Sequence, residues 1–382
     1  LIWSCTSKPS NNHIYRPTWV EINRPAFEHN IKSIKSCLKK KTKFLAVVKA
    51  NAYGHMSVPL SKLALKNGAY ALGVSSIEEG IELRKNGIGS KILVLGSVYP
   101  LVNFEAFLKY ELIPTISSRT SFEELVKTAI KSKKKAHFHL KIDTGMGRIG
   151  LSTANALKLI DLISLNKNVV LDGIYTHFSV SGTDKKYTGK QLKKFNTVVA
   201  YAREKGLKFI AHAANSAAIL RNYASNLDMV RPGLMLYGMY PFHGSRKLIK
   251  LKPVLSWKTK VVFIKKSAKN TDISYSRTFT TKRNSVIATL PVGYADGYLR
   301  KFSNKAEVLI RGKRCSVIGR VTMDMIMVDV TDVKDVSTGD EAVLIGAQGK
   351  EKIRVEELAN IAGTINYEIT CGISYRVPRV IV

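Results

Sequence analysis

Long apolar runs, paired cysteines and acidic side chains are all scarce in this chain of 382 residues. No stretch of about 18 apolar residues occurs, which excludes a membrane-spanning helix. The four cysteines (Cys5, Cys37, Cys315 and Cys371) are far apart and form no Cys-x-x-Cys pair. That excludes a disulfide scaffold and a zinc ribbon, and points to reduced thiols and a cytoplasmic setting. Acid is the third shortage: 28 Asp and Glu stand against 61 Lys and Arg, a net charge of +33. Nucleic acid is the first partner such a balance suggests. However, no zinc-finger spacing, RNA-recognition signature or interleaving of basic and aromatic residues supports it. The lysine-rich runs at 39–43 and 131–135 each precede an apolar strand-like segment, where a solvated loop or helix end is expected. An anionic small molecule fits the charge as well.

Apolar residues make up 45% of the chain, enough for real cores, so global disorder is excluded. The length predicts two or three domains, two above all. The chain begins with Leu1, and Ile2-Trp3-Ser4-Cys5 has the look of a lipoprotein cleavage site. Residues 1–16 are therefore expected to be an extension, disordered or processed. Export or lipid anchoring is the alternative to a cytoplasmic protein.

Short β-branched runs recur at 44–48, 69–74, 91–95, 112–116, 137–142, 170–177, 209–213 and 228–231, eight in all. Helical segments fill the gaps. Ser57-Val58-Pro59 opens one helix with a cap and a first-turn proline, and Ser76-x-x-Glu79 is a capping box. Eight β-then-α units over about 210 residues predict a parallel (β/α)8 barrel over 17–252. Beyond it, strand patterns at 257–265, 286–291, 306–310, 314–317, 325–330, 341–345 and 373–382, with one helix at 355–362, predict a mostly-β domain over 253–382. An early strand at 19–23 precedes the first barrel unit and is expected to pair with it.

A barrel of this kind carries its chemistry at the C-terminal strand ends. Lys49 lies there, after Ala46-Val47-Val48. So do Asn51, Tyr53 and His55, then Lys141, Asp143 and Arg148, then His177, Asn215, Ser216, Arg231 and Gly233. A lysine leaving an apolar strand either snorkels to solvent or sits desolvated, and a desolvated lysine suits Schiff-base chemistry. Ser216 near a helix start and the Arg231-Pro232-Gly233 turn fit the phosphate seat that barrels build after their last two strands. Together they point to pyridoxal phosphate. Two other patterns compete. GMGRIG at 145–150, with Asp172 about 20 residues on, matches a dinucleotide fingerprint, but on the fifth unit and with Arg148 intruding. His137 and His139 share a strand face but have no third metal ligand at useful spacing, so no metal is assigned.

The ordered motifs AVVKANAYGH (46–55), KIDTGMGRIG (141–150), THF (176–178), HAANSAA (212–218), VRPG (230–233), PVGYADG (291–297), GRVTMD (319–324) and SYRVPR (374–379) resemble the alanine racemase family. The resemblance runs from about residue 17 to 382. It implies interconversion of L- and D-alanine by two-base proton transfer on pyridoxal 5'-phosphate, supplying D-alanine for peptidoglycan. Lys49 would bind the cofactor covalently and act as base toward the D-enantiomer. Tyr275 would be the opposing base toward L-alanine, entering from the second subunit of a homodimer. Tyr53, Ser216, Gly233 and Tyr375 match cofactor-phosphate contacts, and Arg231 matches the partner of the pyridine nitrogen. His177 matches the link between Tyr275 and Arg231. Arg148 and Met323 match substrate-carboxylate contacts, and Lys141 a lysine carbamylated to hold Arg148. Tyr294 and Tyr375 match a narrow gate, which favours a small substrate.

Two bases on opposite faces of Cα return the proton to either side directly. A free tyrosine ionises near pH 10, so Tyr275 needs positive charge nearby to act as a base. Where the family usually has Gly after the histidine, this chain has Met56. Around the second base Ser276 and Phe279 replace Gly and Tyr, and these departures bear on substrate range. Other readings are a broad-specificity amino-acid racemase of the same fold, a pyridoxal-phosphate decarboxylase of related fold and a cofactor-binding regulatory barrel. The bulk of Tyr294 and Tyr375 argues against the first. The poor match of acidic and cysteine contacts argues against the second, and the second domain with its Tyr275 against the third.

Overall fold

The structure is a computed structural model and describes residues 15–224 and 227–382. The lipoprotein-like tetrapeptide at 2–5 lies outside the described residues. The chain divides into two compact units, Arg24–Val254 on one side and the described residues up to Asn23 with Leu255–Val382 on the other.

Strand β1 (Thr18–Ile22) opens the chain, and it corrects an expectation. It pairs antiparallel with β10 (Leu255–Lys260) and parallel with β20 (Arg379–Ile381), in the C-terminal unit, rather than with the first barrel strand. Thr18, Val20 and Ile22 alternate inward onto the β-rich core, and the Thr18 hydroxyl bonds that of Thr259 at 2.8 Å.

The N-terminal unit is a parallel eight-stranded barrel. Its strands are β2 (Lys43–Val47), β3 (Ala71–Val74), β4 (Lys91–Val94), β5 (Thr115–Ile116), β6 (Ala136–Lys141), β7 (Val169–Tyr175), β8 (Ile210–His212) and β9 (Met229–Val230). Their order is β4-β3-β2-β9-β8-β7-β6-β5, and a parallel bridge between Leu93 and Ile113 closes the ring. All eight runs read from the sequence are strands here.

The intervening helices follow their signals. Ser118 and Ser121 form a capping box at the start of Arg119–Lys131, whose Phe122, Leu125 and Ala129 face inward at helical spacing. Burying a side chain of the size of Phe122 or Leu125 contributes roughly 1.5–3 kcal/mol. One cap differs from expectation. Ser57 does not cap its helix, which starts after Met56; its amide donates instead to Asn51 Oδ1 at 2.7 Å.

The C-terminal unit adds β11 (Phe263–Ser267), β12 (Asp272–Ile273), β13 (Phe279–Thr280), β14 (Ser285–Leu290), β15 (Glu307–Ile310), β16 (Lys313–Ile318), β17 (Ile326–Asp329), β18 (Glu341–Gln348) and β19 (Glu351–Ile353). Ten strands make one sheet, and β12 and β13 form a separate small ribbon. The run at 257–265 is two strands rather than one. Val261 N–H donates to Asp340 O and Val262 N–H to Thr289 O, so adjacent residues bond to different neighbours and the strand changes partner. The run at 373–382 is a strand only at β20. Pro378 lacks a donor, and the Arg379 guanidinium takes the carbonyls of Ile373, Ser374 and Val377. The helix over Val355–Ala362 is as expected, but a second one, Asn366–Gly372, was not expected; it has no side-chain cap at its start.

Candidate active site

The end of β2 delivers Lys49, half-buried, to the C-terminal mouth of the barrel. The chain then makes a single left-handed turn. Ala50, Asn51, Ala52 and Tyr53 have φ of 52°, 50°, 54° and 56°. None is glycine, and each such residue costs roughly 1–2 kcal/mol. The surroundings hold the turn in place. Ala50 N–H donates to Glu79 Oε1 at 2.6 Å, and the other Glu79 oxygen accepts Ser75 N–H at 2.6 Å. The expected capping box is therefore half formed. Ser76 Oγ accepts the Glu79 amide, but the Glu79 carboxylate is taken by the turn beside the lysine. Met56, where the family usually has Gly, also has a positive φ of 72°. That is the conformation in which glycine is free of strain.

The turn aims Tyr53 across the barrel mouth at Gly233. A Cβ on Gly233 would lie 2.6 Å from the Tyr53 hydroxyl, so only glycine admits this approach. Ser216 opens the helix Ser216–Leu220, capped by Asn215, whose side chain accepts Ala218 N–H at 3.0 Å. Ser216 Oγ accepts the amides of Gly233 and Met235 at 3.1 and 3.4 Å. Both its lone pairs are thus taken, and its single hydrogen is left to donate. Tyr53, Ser216 and Gly233, from three separate motifs, thus meet in one cradle.

Arg231 is 4% exposed and bonds only neutral acceptors among the described residues: Thr176 O at 2.7 Å, Ala213 O at 3.2 Å and His212 Nδ1 at 2.8 Å. An arginine can only donate, so His212 Nδ1 accepts and its proton is on Nε2. His212 Nε2–H then donates to His139 Nδ1 at 2.9 Å. Burial holds both rings neutral, His139 lowered to about 3 and His212 well below its usual value. Tyr175 stacks on His212, with centroids 4.9 Å apart, and its hydroxyl bonds Thr115 at 2.8 Å.

This relay was not read from the sequence. His212 stood inside a quoted motif without a role, and His139 was weighed as half of a metal pair. The register of β6 against β7 shifts between Phe138 and His139. That shift separates His137, exposed and bonded to Asp172 at 3.0 Å, from the buried His139. Among the described residues no cluster of three or more metal-ligating side chains exists. The dinucleotide reading of 145–150 also fails. The Asp143 carboxylate itself accepts the amides of Gly145, Met146 and Gly147, so the loop holds a carboxylate where a pyrophosphate would sit.

Lys141 is buried, and its pKa is pushed down to about 7 by desolvation, then by Arg148, Arg231 and Lys49, with Asp143 opposing. His177 is lowered to about 3 by burial and by the same cations, Arg231 first. Burial brings Arg231 itself to about 10. Lys49, Lys141, Arg148, His177 and Arg231 thus share one field of excess positive charge. The direct hydrogen-bond partner of Arg231 is His212, not His177.

In the C-terminal unit, Tyr275 lies in the loop between β12 and β13, 69% exposed. Ser274 Oγ ties that loop to Arg320 O at 2.7 Å. Ser276, a second site where the family usually has Gly, has a φ of 60°. Tyr294, Met323 and Tyr375 lie on three further loops and are 42%, 54% and 95% exposed.

Excess positive charge around a tyrosine–serine–glycine cradle, at the strand ends of a (β/α)8 barrel, marks an enzyme that holds an anionic ligand at its barrel mouth. The N-terminal domain model of alanine racemase matches residues 22–241, and the C-terminal domain model matches 254–381. The chain belongs to the alanine racemase family. It is 46% identical over 371 residues to the alanine racemase of Halothermothrix orenii, covering 97% of this chain and 98% of that one. With the alanine racemase of Methanococcus maripaludis it shares 43% identity over 376 residues, covering 96% and 99%. Among solved structures, the Clostridium difficile alanine racemase superposes with a TM-score of 0.91 at 38% identity, covering 97% of each chain. The Bartonella henselae alanine racemase, solved with covalently bound pyridoxal phosphate, superposes at 0.85 with 28% identity, covering 96% of this chain and 99% of that one.

Proposed function

We propose that the protein is a pyridoxal-phosphate-dependent alanine racemase that interconverts L- and D-alanine. The observation that carries the reading is the pairing of Lys49 with the Tyr53–Ser216–Gly233 cradle on one barrel rim. The residues fit the cofactor. The Ser216 hydrogen is unassigned, a Cβ on Gly233 would fill the approach, and Arg231 is a buried cation with only neutral partners. Lys49 would hold the cofactor covalently, Tyr53, Ser216, Gly233 and Tyr375 its phosphate, and Arg231 with His177 its ring. When bound, the cofactor spreads the negative charge left at Cα when the α-proton departs.

The chain's own groups then move the proton. Lys49 takes it from, and returns it to, the D-face, and Tyr275 does so on the L-face. Lys49 adds to the positive field that lowers Lys141 and His177, so it stands within reach of the same charges. Arg148 and Met323 hold the substrate carboxylate. His177, kept neutral by burial, would face Tyr275 within the field of Arg231 without bonding its guanidinium, whose histidine partner is His212. Arg231, at about 10 even when buried, keeps its proton at neutral pH and would not give it to a ring nitrogen facing it. Lys141, near neutrality in a field of cations, suits carbamylation: its amine adds carbon dioxide, loses a proton, and becomes an anion beside Arg148.

Tyr275 belongs to a site completed by a second copy of this chain, which makes a homodimer the active form. Tyr294 and Tyr375 narrow the way in and favour a small side chain. No helix among the described residues is long and apolar enough to cross a membrane, and the D-alanine product is used in the cytoplasm to build peptidoglycan precursors.

The test is incubation in deuterated water with single-enantiomer amino acids, with and without pyridoxal phosphate. Deuterium at Cα together with inversion, confined to alanine, is the expected result. Activity across long or basic side chains makes the protein a broad-range racemase instead. No exchange despite bound cofactor sinks the reading.

A further inference from the structure

Four charged side chains from four distant parts of the chain alternate in sign within the C-terminal unit. Asp296 lies at their centre, 0% exposed. Arg16 grips it with two bonds, Nη2 to Oδ1 at 2.5 Å and Nη1 to Oδ2 at 3.1 Å, across 280 residues of sequence. Arg376 Nε approaches Asp296 Oδ1 at 3.8 Å, and Arg376 Nη2 bonds Asp324 Oδ1 at 2.7 Å. Gly293 N–H donates to the second Asp296 oxygen at 3.0 Å.

Three of the four, all but Arg16, adjoin a residue of the proposed gate or substrate site. Asp296 is two residues from Tyr294, Asp324 follows Met323, and Arg376 follows Tyr375. The three loops also touch backbone to backbone. Tyr294 N–H and Ala295 N–H donate to Thr322 O and Met323 O, each at 3.0 Å, and Ser374 N–H donates to Asp296 O at 3.0 Å. A Cβ on Gly293 would lie 2.3 Å from Met323 O, and one on Gly297 would lie 2.2 Å from Gly372 O. The loops therefore have no slack to move singly. A buried carboxylate needs a compensating charge, and the nearest full ion pair comes from Arg16, outside all three loops.

We propose that Arg16 is a positioning residue for substrate choice: through Asp296, Arg376 and Asp324 it locks the loops of Tyr294, Met323 and Tyr375 into one block, so that the chain's N-terminal segment sets the side-chain size the enzyme accepts. The inference deepens the reading of Tyr294 and Tyr375 as a gate and rests on it. An exposed surface loop pair would need no such clamp; a gate that must exclude one extra methylene does.

The experiment compares Arg16→Met, which keeps length without charge, with Arg16→Lys, which keeps charge but loses the second bond. Asp324→Asn loosens the chain from its exposed end and leaves no bare buried charge. Should Arg16→Met fail to fold, Arg16→Met with Asp296→Asn removes both members of the ion pair together. Amide exchange is followed in peptides covering 293–297, 322–325 and 374–377, a readout that needs no activity. The ratio of kcat/KM for L-alanine over L-2-aminobutyrate is measured alongside.

In Arg16→Met and Asp324→Asn all three loops should lose protection together, by about tenfold or more. Discrimination should fall by roughly fivefold, against the 10–200-fold that one methylene can supply. The KM for alanine should rise more than kcat falls, and Arg16→Lys should recover most of the loss. Loops that loosen singly, or exchange at the wild-type rate, overturn the coupling. An unchanged ratio in a folded, loosened variant overturns the link to substrate choice. A wild-type protein that does not racemise alanine refutes the proposed function instead, while the exchange data still decide the coupling.

Discussion

The Gly233→Ala variant puts the cofactor cradle to a quantitative test. The φ of Gly233 is −124°, outside the left-handed region, so alanine adds no backbone strain of that kind. What it adds is a methyl 2.6 Å from the Tyr53 hydroxyl, 3.2 Å from Tyr53 Cζ and 3.5 Å from Val47 Cβ. An ordinary contact is about 3.5 Å, so the hydroxyl must retreat by roughly 0.9 Å. It has little room to do so. Tyr53 is 8% exposed, and its ring lies 4.9 Å from that of Tyr237, which is fixed by a 2.7 Å bond to Val47 O. The left-handed turn leaves its backbone no slack. Overpacking of this kind costs about 1–3 kcal/mol. Because Tyr53 and the Gly233 turn are both assigned to the phosphate, most of that should appear in binding, as a dissociation constant for pyridoxal phosphate raised about 5- to 150-fold. The assay is titration of the apoprotein with pyridoxal phosphate, followed by absorbance, with urea unfolding of the apoprotein to separate stability from affinity. Gly89→Ala, where an added Cβ meets nothing within 4 Å, is the control. A dissociation constant within about twofold of wild type in a stably folded Gly233→Ala protein would refute the cradle.

Three further outcomes are expected. Tyr275→Phe should slow loss of the α-proton from L-alanine by about 10²–10⁴-fold and from D-alanine far less, read as deuterium exchange from each enantiomer; equal, mild effects would make Tyr275 packing only. His139, 5% exposed with its pKa near 3, stays neutral in the folded protein but takes a proton near pH 6.5 once unfolded. Stability is therefore lost as pH falls below about 6.5, by a few kcal/mol (about 3) at pH 4.5 from this ring alone, and His139→Leu should remove that share of the slope in urea midpoints between pH 7 and 4.5. Parallel slopes in the two proteins would show that His139 is not held neutral. Arg231→Glu replaces a group that keeps its proton with one that can share it, and should raise pyruvate formed by transamination per racemisation turnover; an unchanged partition would mean that Arg231 does not suppress the side reaction.

Much of the architecture was legible because its signals are local. Eight β-branched runs separated by helix caps specify a parallel barrel, and the change of texture near residue 252 marks where β structure takes over. What was misread depended on partners far away in sequence. Glu79 has the spacing of a capping box, but Ala50 N–H competes for its carboxylate across 29 residues and wins. Nothing in Ala-Asn-Ala-Tyr predicts a left-handed turn, since such residues favour right-handed helix and the turn is held from outside. His139 and His212 are 73 residues apart and become a relay only when β6, β7 and β8 lie side by side. The two-residue strands β12 and β13 are too short for any periodicity.

The sequence by itself determined the order of elements, the lysine at the first barrel strand's end and the glycine–serine cradle, because hydrophobic period, caps and short motifs act over a few residues. The tertiary structure alone decided which protons the buried histidines carry, where β1 pairs and what clamps Asp296. Those depend on which donors and acceptors folding brings within 3 Å, and an arginine or histidine acquires its role only from the group it meets.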